Sequence, residues 1–129
     1  MKRFVMLSIF TFLLGCSQQA QPKEGDLCAV DDGKGSYRIA KVLVVDEVGV
    51  HVRLYKNKWK ERPDKVDAST LSLGGVDDKD GFGMGHVPLT KRAFAAMKPV
   101  VIDHEEVRKD ELDGYHTWKD GKGGYFGNK

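Results

Sequence analysis

A chain of 129 residues allows one small domain and hardly two. Its apolar fraction of 40%, with two Trp, four Tyr and six Phe, is enough for a packed core and excludes a wholly disordered chain. The formal charge of +2 comes from Lys2 and Arg3, because the first fifteen residues hold no acid and residue 16 onward carries 19 bases against 19 acids; nucleic acid is therefore not an expected partner of so balanced a domain.

Lys2 and Arg3 precede an apolar run, Phe4 to Leu14, interrupted only by Ser8 and Thr11. Eleven residues are too few for a membrane-spanning helix, which takes roughly 20, but they suit the apolar core of a secretory signal. The run ends in Leu13-Leu14-Gly15-Cys16, and this resembles the lipobox of bacterial lipoproteins. The resemblance implies cleavage before Cys16, lipid on the Cys16 sulfur and acylation of the new amino terminus. Several acyl chains together anchor a protein durably, where one alone is marginal. The expected organisation is a signal peptide over 1–15, a lipidated tether over 16–24 and a single β-rich domain over 25–129. Its expected location is the cell envelope, with the lipid on Cys16 in the membrane. For Ser17, a non-acidic residue after the cysteine, the resemblance implies the outer membrane, facing the periplasm, if the organism has two membranes. Ser17 to Glu24 is polar, carries Pro22 and lacks periodicity, so it reads as linker. Its eight residues reach at most about 28 Å, at roughly 3.5 Å each, which keeps the domain near the membrane surface.

Gly25-Asp26 opens a short apolar segment, Leu27 to Val30, followed by the turn-forming run Asp31 to Ser36. Tyr37 to Val45 is rich in β-branched residues, with Arg38 and Lys41 interleaved, and Asp46 to Gly49 turns the chain into Val50 to Tyr55. In that last run Val50, Val52 and Leu54 alternate with His51, Arg53 and Tyr55, the period of a half-buried strand with the second set facing outward. Val42 to Val45 is continuously apolar, which predicts a bulge or bend, or burial on both faces. The stretch from Gly25 to Tyr55 loosely resembles the small Tudor-like and Src-homology-type barrels, and the resemblance implies short, bent antiparallel strands that close on themselves. Beyond it, Val66, Leu71 and Leu73 suggest another strand or two, and 74–85 reads as a long loop. From Pro88 the periodicity turns helical: Thr90 caps a short helix carrying Phe94 and Met97 that stops at Pro99. Val100 to Ile102 suggests a further strand. Asp110 and Asp113 suggest a capping box for a helix with Leu112, Tyr115 and Trp118 on one face, weakened by Gly114. The Gly-rich tail has Tyr125 and Phe126 as its anchors. The expected fold is mainly β, a small bent antiparallel sheet or SH3-like barrel with one or two short helices in the C-terminal half.

No catalytic constellation stands out. With Cys16 lipidated, Cys28 is the remaining thiol, and its apolar neighbours predict a buried core residue without a disulfide. His51, His86, His104 and His116 lack close ligand spacing, and there is no HExxH or CxxC; no metal or cofactor is expected. Asp77, Asp78, Asp80 and Gly81 evoke a calcium loop, but its twelfth position is Pro88 instead of an acid. Phe82 and Met84 are apolar residues in that polar loop and either dock on the domain or meet a partner. The best candidate surface is Tyr55 to Arg62, where Tyr55 and Trp59 stand among Lys56, Lys58, Lys60 and Arg62, with His51 and Arg53 on the same strand parity as Tyr55. Trp, Tyr and Arg dominate binding energy at interfaces; alternatively, Tyr55 and Trp59 cap the core while the lysines form a solvated loop. The expected function is a non-catalytic, lipid-anchored envelope protein that binds an envelope or incoming protein, with a toxin-immunity role as one concrete form. The alternatives are binding of cell-wall glycan or peptide and, more weakly, a hydrolase using Cys28 or a histidine.

Overall fold

The computed structural model describes residues 21–75, 77–79 and 81–127. The leader, Cys16 and Asp80 lie outside the described residues. The fold is mainly β, as expected: a five-stranded antiparallel sheet of β1 (Asp26–Asp31), β2 (Tyr37–Val45), β3 (Gly49–Leu54), β4 (Met84–Thr90) and β5 (Val100–His104). Their order is β4-β3-β2-β1-β5, so the last strand returns beside the first. Of the two expected forms the molecule adopts the open sheet, with β4 and β5 as its edges. Two short helices follow in the C-terminal half, α1 (Lys91–Ala96) and α2 (Asp113–Asp120), the latter entered through a 3-10 turn over Lys109–Leu112.

The continuous apolar run in β2 has the cause read from the sequence. The register against β3 shifts between Val42 and Val44, and β2 is covered on both faces. One face gathers Cys28, Val30, Ala40, Val42, Val50, Val52 and Val87 under Phe94 of α1. Thr90 caps α1 by accepting a hydrogen bond from the Ala93 N–H at 3.0 Å, a contact worth about 1 kcal/mol. Burying Phe94 adds roughly 1.5–3 kcal/mol and pins the helix across the sheet.

The other face holds Leu27, Ala29, Ile39 and Tyr55, with Trp59, Val66, Ala68, Leu71 and Leu73 packed against them. Val66, Leu71 and Leu73 do not form the strand expected of them. They lie in an irregular segment with one 3-10 turn, Ala68–Thr70, and serve as a lid on this face. β4 is an unexpected strand: the chain pairs with β3 over Met84–Thr90, where the sequence had suggested the end of a loop at 85 and helical periodicity from Pro88. Gly83 just before it cannot carry a side chain, since a Cβ there would lie 2.3 Å from the Leu54 carbonyl oxygen.

Candidate functional site

The outward parity of β3 is real, but the solvent is missing. His51 is fully buried and Tyr55 is 7% exposed, which corrects the expectation of a half-buried strand. The cover comes from distant parts of the chain: residues 59–73 over Tyr55, and α2 with the tail over His51. Arg53 is largely buried beside Glu111, at 3.8 Å. Trp59 is half-buried and joined to β2 by backbone bonds to Tyr37 of 2.7 and 2.9 Å. Arg62 is exposed. Tyr55 and Trp59 thus pack as parts of the core, and burial, with the Glu111 charge behind it, pushes the Tyr55 hydroxyl up to about 12.

Around His51 the fold assembles a polar interior that sequence spacing did not suggest. Asp46, in the β2–β3 turn, accepts four hydrogen bonds. Its Oδ1 takes the backbone N–H groups of Val48 and Gly49 at 2.9 and 2.7 Å. Its Oδ2 takes His51 Nε2 at 2.8 Å and the Tyr125 hydroxyl at 2.5 Å. Burial opposes its charge, but the Tyr125 and His51 bonds and the two backbone donors together hold the carboxyl far below the usual range. Tyr125 is correspondingly pushed up, by burial and by its bond to Asp46. On the other side of the imidazole, His51 Nδ1 lies 2.9 Å from His86 Nε2. With Asp46 ionised, His51 Nε2–H donates to it, and a proton on either ring satisfies the contact between His51 Nδ1 and His86 Nε2. Burial, reinforced by the charge of His51, lowers His86 from 6.5 to about 4, so it is neutral near pH 7.

Aromatic rings close this interior. Tyr115 and Trp118 of α2 meet His51 edge-on, with ring centroids 4.8 and 4.6 Å away, and Trp118 also packs on Tyr125 at 5.1 Å. Gly114 lets the helix come this close, since a Cβ there would sit 2.7 Å from the His86 Cβ. Next along the same face Lys41, fully buried, bonds Glu111 at 2.9 Å and Glu105 at 2.8 Å. Glu111 also accepts the Arg108 N–H at 2.9 Å and thereby closes the 3-10 turn, where the sequence had suggested a box from Asp110 to Asp113. The Asp46–His51–His86 chain can hold and relay a proton, yet among the described contacts no hydroxyl or thiol nucleophile touches either imidazole. Cys28 lies in the core cluster on the opposite face, and burial followed by the Asp26 charge pushes its thiol up to about 12. No group of three or more metal-ligating side chains exists among the described residues. What this arrangement does is fasten α2 and the tail to the sheet.

The open side of the molecule is different. Phe82 and Met84 are 45% and 41% exposed, and the Phe82 carbonyl accepts a 3.0 Å bond from Arg38 Nη2. The Arg38 guanidinium also binds the Tyr55 carbonyl twice, at 2.9 and 2.7 Å. Beside it opens a hollow of about 140 Å³ with Val30, Leu54 and Met97 as its apolar lining and Lys34, Arg38 and Lys58 around it. Asp32 is the one acid there. Burial opposes its charge, but bonds from the Lys34 and Ser36 N–H groups and the nearby cations keep its carboxyl below the ordinary value. The Asp77–Asp78 segment leans on Lys56, with Asp78 3.0 Å from its Nζ, so Asp78 serves as a local tie.

No family model, curated protein or solved structure matches this chain. Of the residues singled out from the sequence, Phe82 and Met84 adjoin the cationic hollow through its lining residues, Phe82 bonded to Arg38 and Met84 paired with Leu54, and Arg62 is exposed. His51, Arg53, Tyr55 and Trp59 belong to the interior or its margin. Arg38, Lys34 and Lys58 complete the open surface; Arg38 gave no signal beyond its place as a cation in an apolar strand.

Proposed function

We propose that the chain is a lipid-anchored cell-envelope protein without catalysis of its own, whose β domain binds another protein. The observation that carries the binding part is the pairing of two exposed apolar side chains, Phe82 and Met84, with a cation-rimmed apolar hollow at Arg38. Exposed apolar residues next to fixed charge form a surface suited to a partner segment that presents an apolar side chain flanked by carboxylates. An envelope protein or an incoming toxin with such a segment fits it. The rigid sheet beneath supports the reading, because Arg38 is fixed by three backbone carbonyl bonds and is already organised for contact. The anchor rests on the lipobox resemblance at Leu13 to Cys16.

Two measurements test the two parts. Mass analysis of the membrane fraction should find a mature chain that begins at a lipid-bearing Cys16, and Cys16→Ala should lose the lipid; an unlipidated wild-type chain would contradict the anchor. Affinity capture from envelope extracts and from toxin-bearing culture fluid should retain a protein on the wild-type chain and lose it on Phe82→Ala/Met84→Ala. Equal retention on both would contradict the assigned surface.

A further inference from the structure

The charges of this chain balance overall but not locally. Residues 81–102 contain no Asp or Glu and carry Lys91, Arg92 and Lys98. All three are exposed and stand on or just after α1. None of them forms an ion pair among the described residues. Apolar side chains flank the start of the same helix. Val48 is 39% exposed, and its carbonyl accepts the Lys91 N–H at 3.3 Å; Phe126 is 59% exposed, and its carbonyl accepts the Thr90 N–H at 2.9 Å. Glu47 in the β2–β3 turn is the exposed acid next to Val48. Gln21, the first described residue of the segment that leads back to Cys16, lines one cavity of about 330 Å³ with Lys91, Phe94 and Ala95. The tether therefore leaves the domain on the α1 side.

We infer that the α1 face, with Lys91, Arg92 and Lys98 flanked by Val48 and Phe126, docks on the anionic lipid surface of the membrane that holds the chain. Exposed Lys and Arg near an anionic bilayer each add attraction, and an exposed Phe inserts its ring at the headgroup boundary. The inference deepens the lipid-anchor reading and rests on it for the identity of the surface. It fixes an orientation, since a tether of a few residues together with a basic face removes the tumbling that a tether alone allows. The hollow at Arg38 opens on the same sheet face, with Met97 at the C-terminal end of α1 in its lining, so docking through α1 brings the membrane surface next to it.

Hydrogen exchange of the full lipidated chain on vesicles tests this. On vesicles of phosphatidylcholine mixed with phosphatidylglycerol, exchange at 91–98 should slow by ~10-fold relative to phosphatidylcholine alone, and salt should erase the difference. Lys91→Glu/Arg92→Glu/Lys98→Glu should abolish the protection, and the same changes in a Cys16→Ala chain should cut binding to the anionic vesicles by about 100-fold or more. A lipidated chain that stays on the vesicles with 91–98 equally fast in both lipids, or with charge reversal making no difference, overturns the docking while leaving the anchor intact. That is the behaviour expected if α1 is a protein-binding face. A wild-type chain without lipid that still shows phosphatidylglycerol-dependent protection at 91–98 supports the docking while the anchor falls.

Discussion

Acid should loosen the C-terminal helix before it unfolds the sheet, and His86 sets the range. In the folded chain His86 is lowered from 6.5 to about 4 by burial and by the neighbouring His51. As pH falls through this range the unfolded chain takes up a proton that the folded chain refuses. The stability His86 confers is therefore fully present above about pH 6.5 and is lost as pH approaches about 4. At about 1.36 kcal/mol per pKa unit the ceiling is about 3 kcal/mol; His86 is half-buried, and water screening reduces the expectation to about 1–2 kcal/mol. The groups around it are His51 from β3 and Tyr115 and Trp118 from α2, with the Asp46 carboxylate one step further behind His51. Asp46 acts in the same direction but at lower pH, because its carboxyl is held far below the usual range. Urea unfolding followed by Trp fluorescence at about pH 7, 5.5 and 4.5 should show the midpoint falling, and the dependence should flatten in His86→Gln. A wild-type midpoint that is flat across that range, or a His86→Gln slope equal to wild type, would refute the reasoning.

Tyr55→Ala should cost about 3–5 kcal/mol, because it empties a site in the second core cluster, and a thermal midpoint unchanged from wild type would return Tyr55 to the surface. Lys41→Met alone should cost about 3–5 kcal/mol by taking from buried Glu111 its closest cation, whereas Lys41→Met/Glu111→Leu should recover much of that loss; chemical denaturation of both variants decides it. Gly114→Ala improves helix propensity by about 1 kcal/mol but pushes a Cβ to 2.7 Å from His86, so a net loss of about 1–3 kcal/mol is expected, together with faster exchange over 113–120. Phe82→Ala and Met84→Ala should each move stability by less than about 0.5 kcal/mol, measurable by thermal unfolding, since neither side chain is buried.

Much of the sheet was legible because its signals are local. The alternation in 50–55, the Asp-rich turns and the continuous apolar run at Val42 to Val45 gave the β1–β3 meander, and Thr90 and Pro99 bracketed α1. β4 was hidden because three spaced glycines carry loop chemistry and the periodicity from Pro88 reads as helical; of the three, Gly83 is the one the fold demands, since a Cβ there would meet the Leu54 carbonyl oxygen. The polar interior was illegible for a different reason. His51 and His86 are separated by 35 residues, and Tyr125 lies 79 residues from Asp46, so local spacing cannot report their meeting. The stripe of Tyr115 and Trp118 on one helix face was visible, and an outward-facing His51 on β3 was visible, but nothing in the local pattern said that one covers the other. That docking turns the outer parity of β3 into a second core and moves the candidate surface from Tyr55 and Trp59 to Phe82, Met84 and Arg38.

The binding claim is tested most directly by placing the photo-crosslinking residue p-benzoylphenylalanine at Phe82 in the full chain, in living cells. Irradiation should yield one discrete protein adduct, lost when Arg38 is changed to Glu and absent when the crosslinker stands at exposed Lys60. Recovery of a glycan or cell-wall peptide on residue 82 in place of a protein, or of no adduct, would contradict the account.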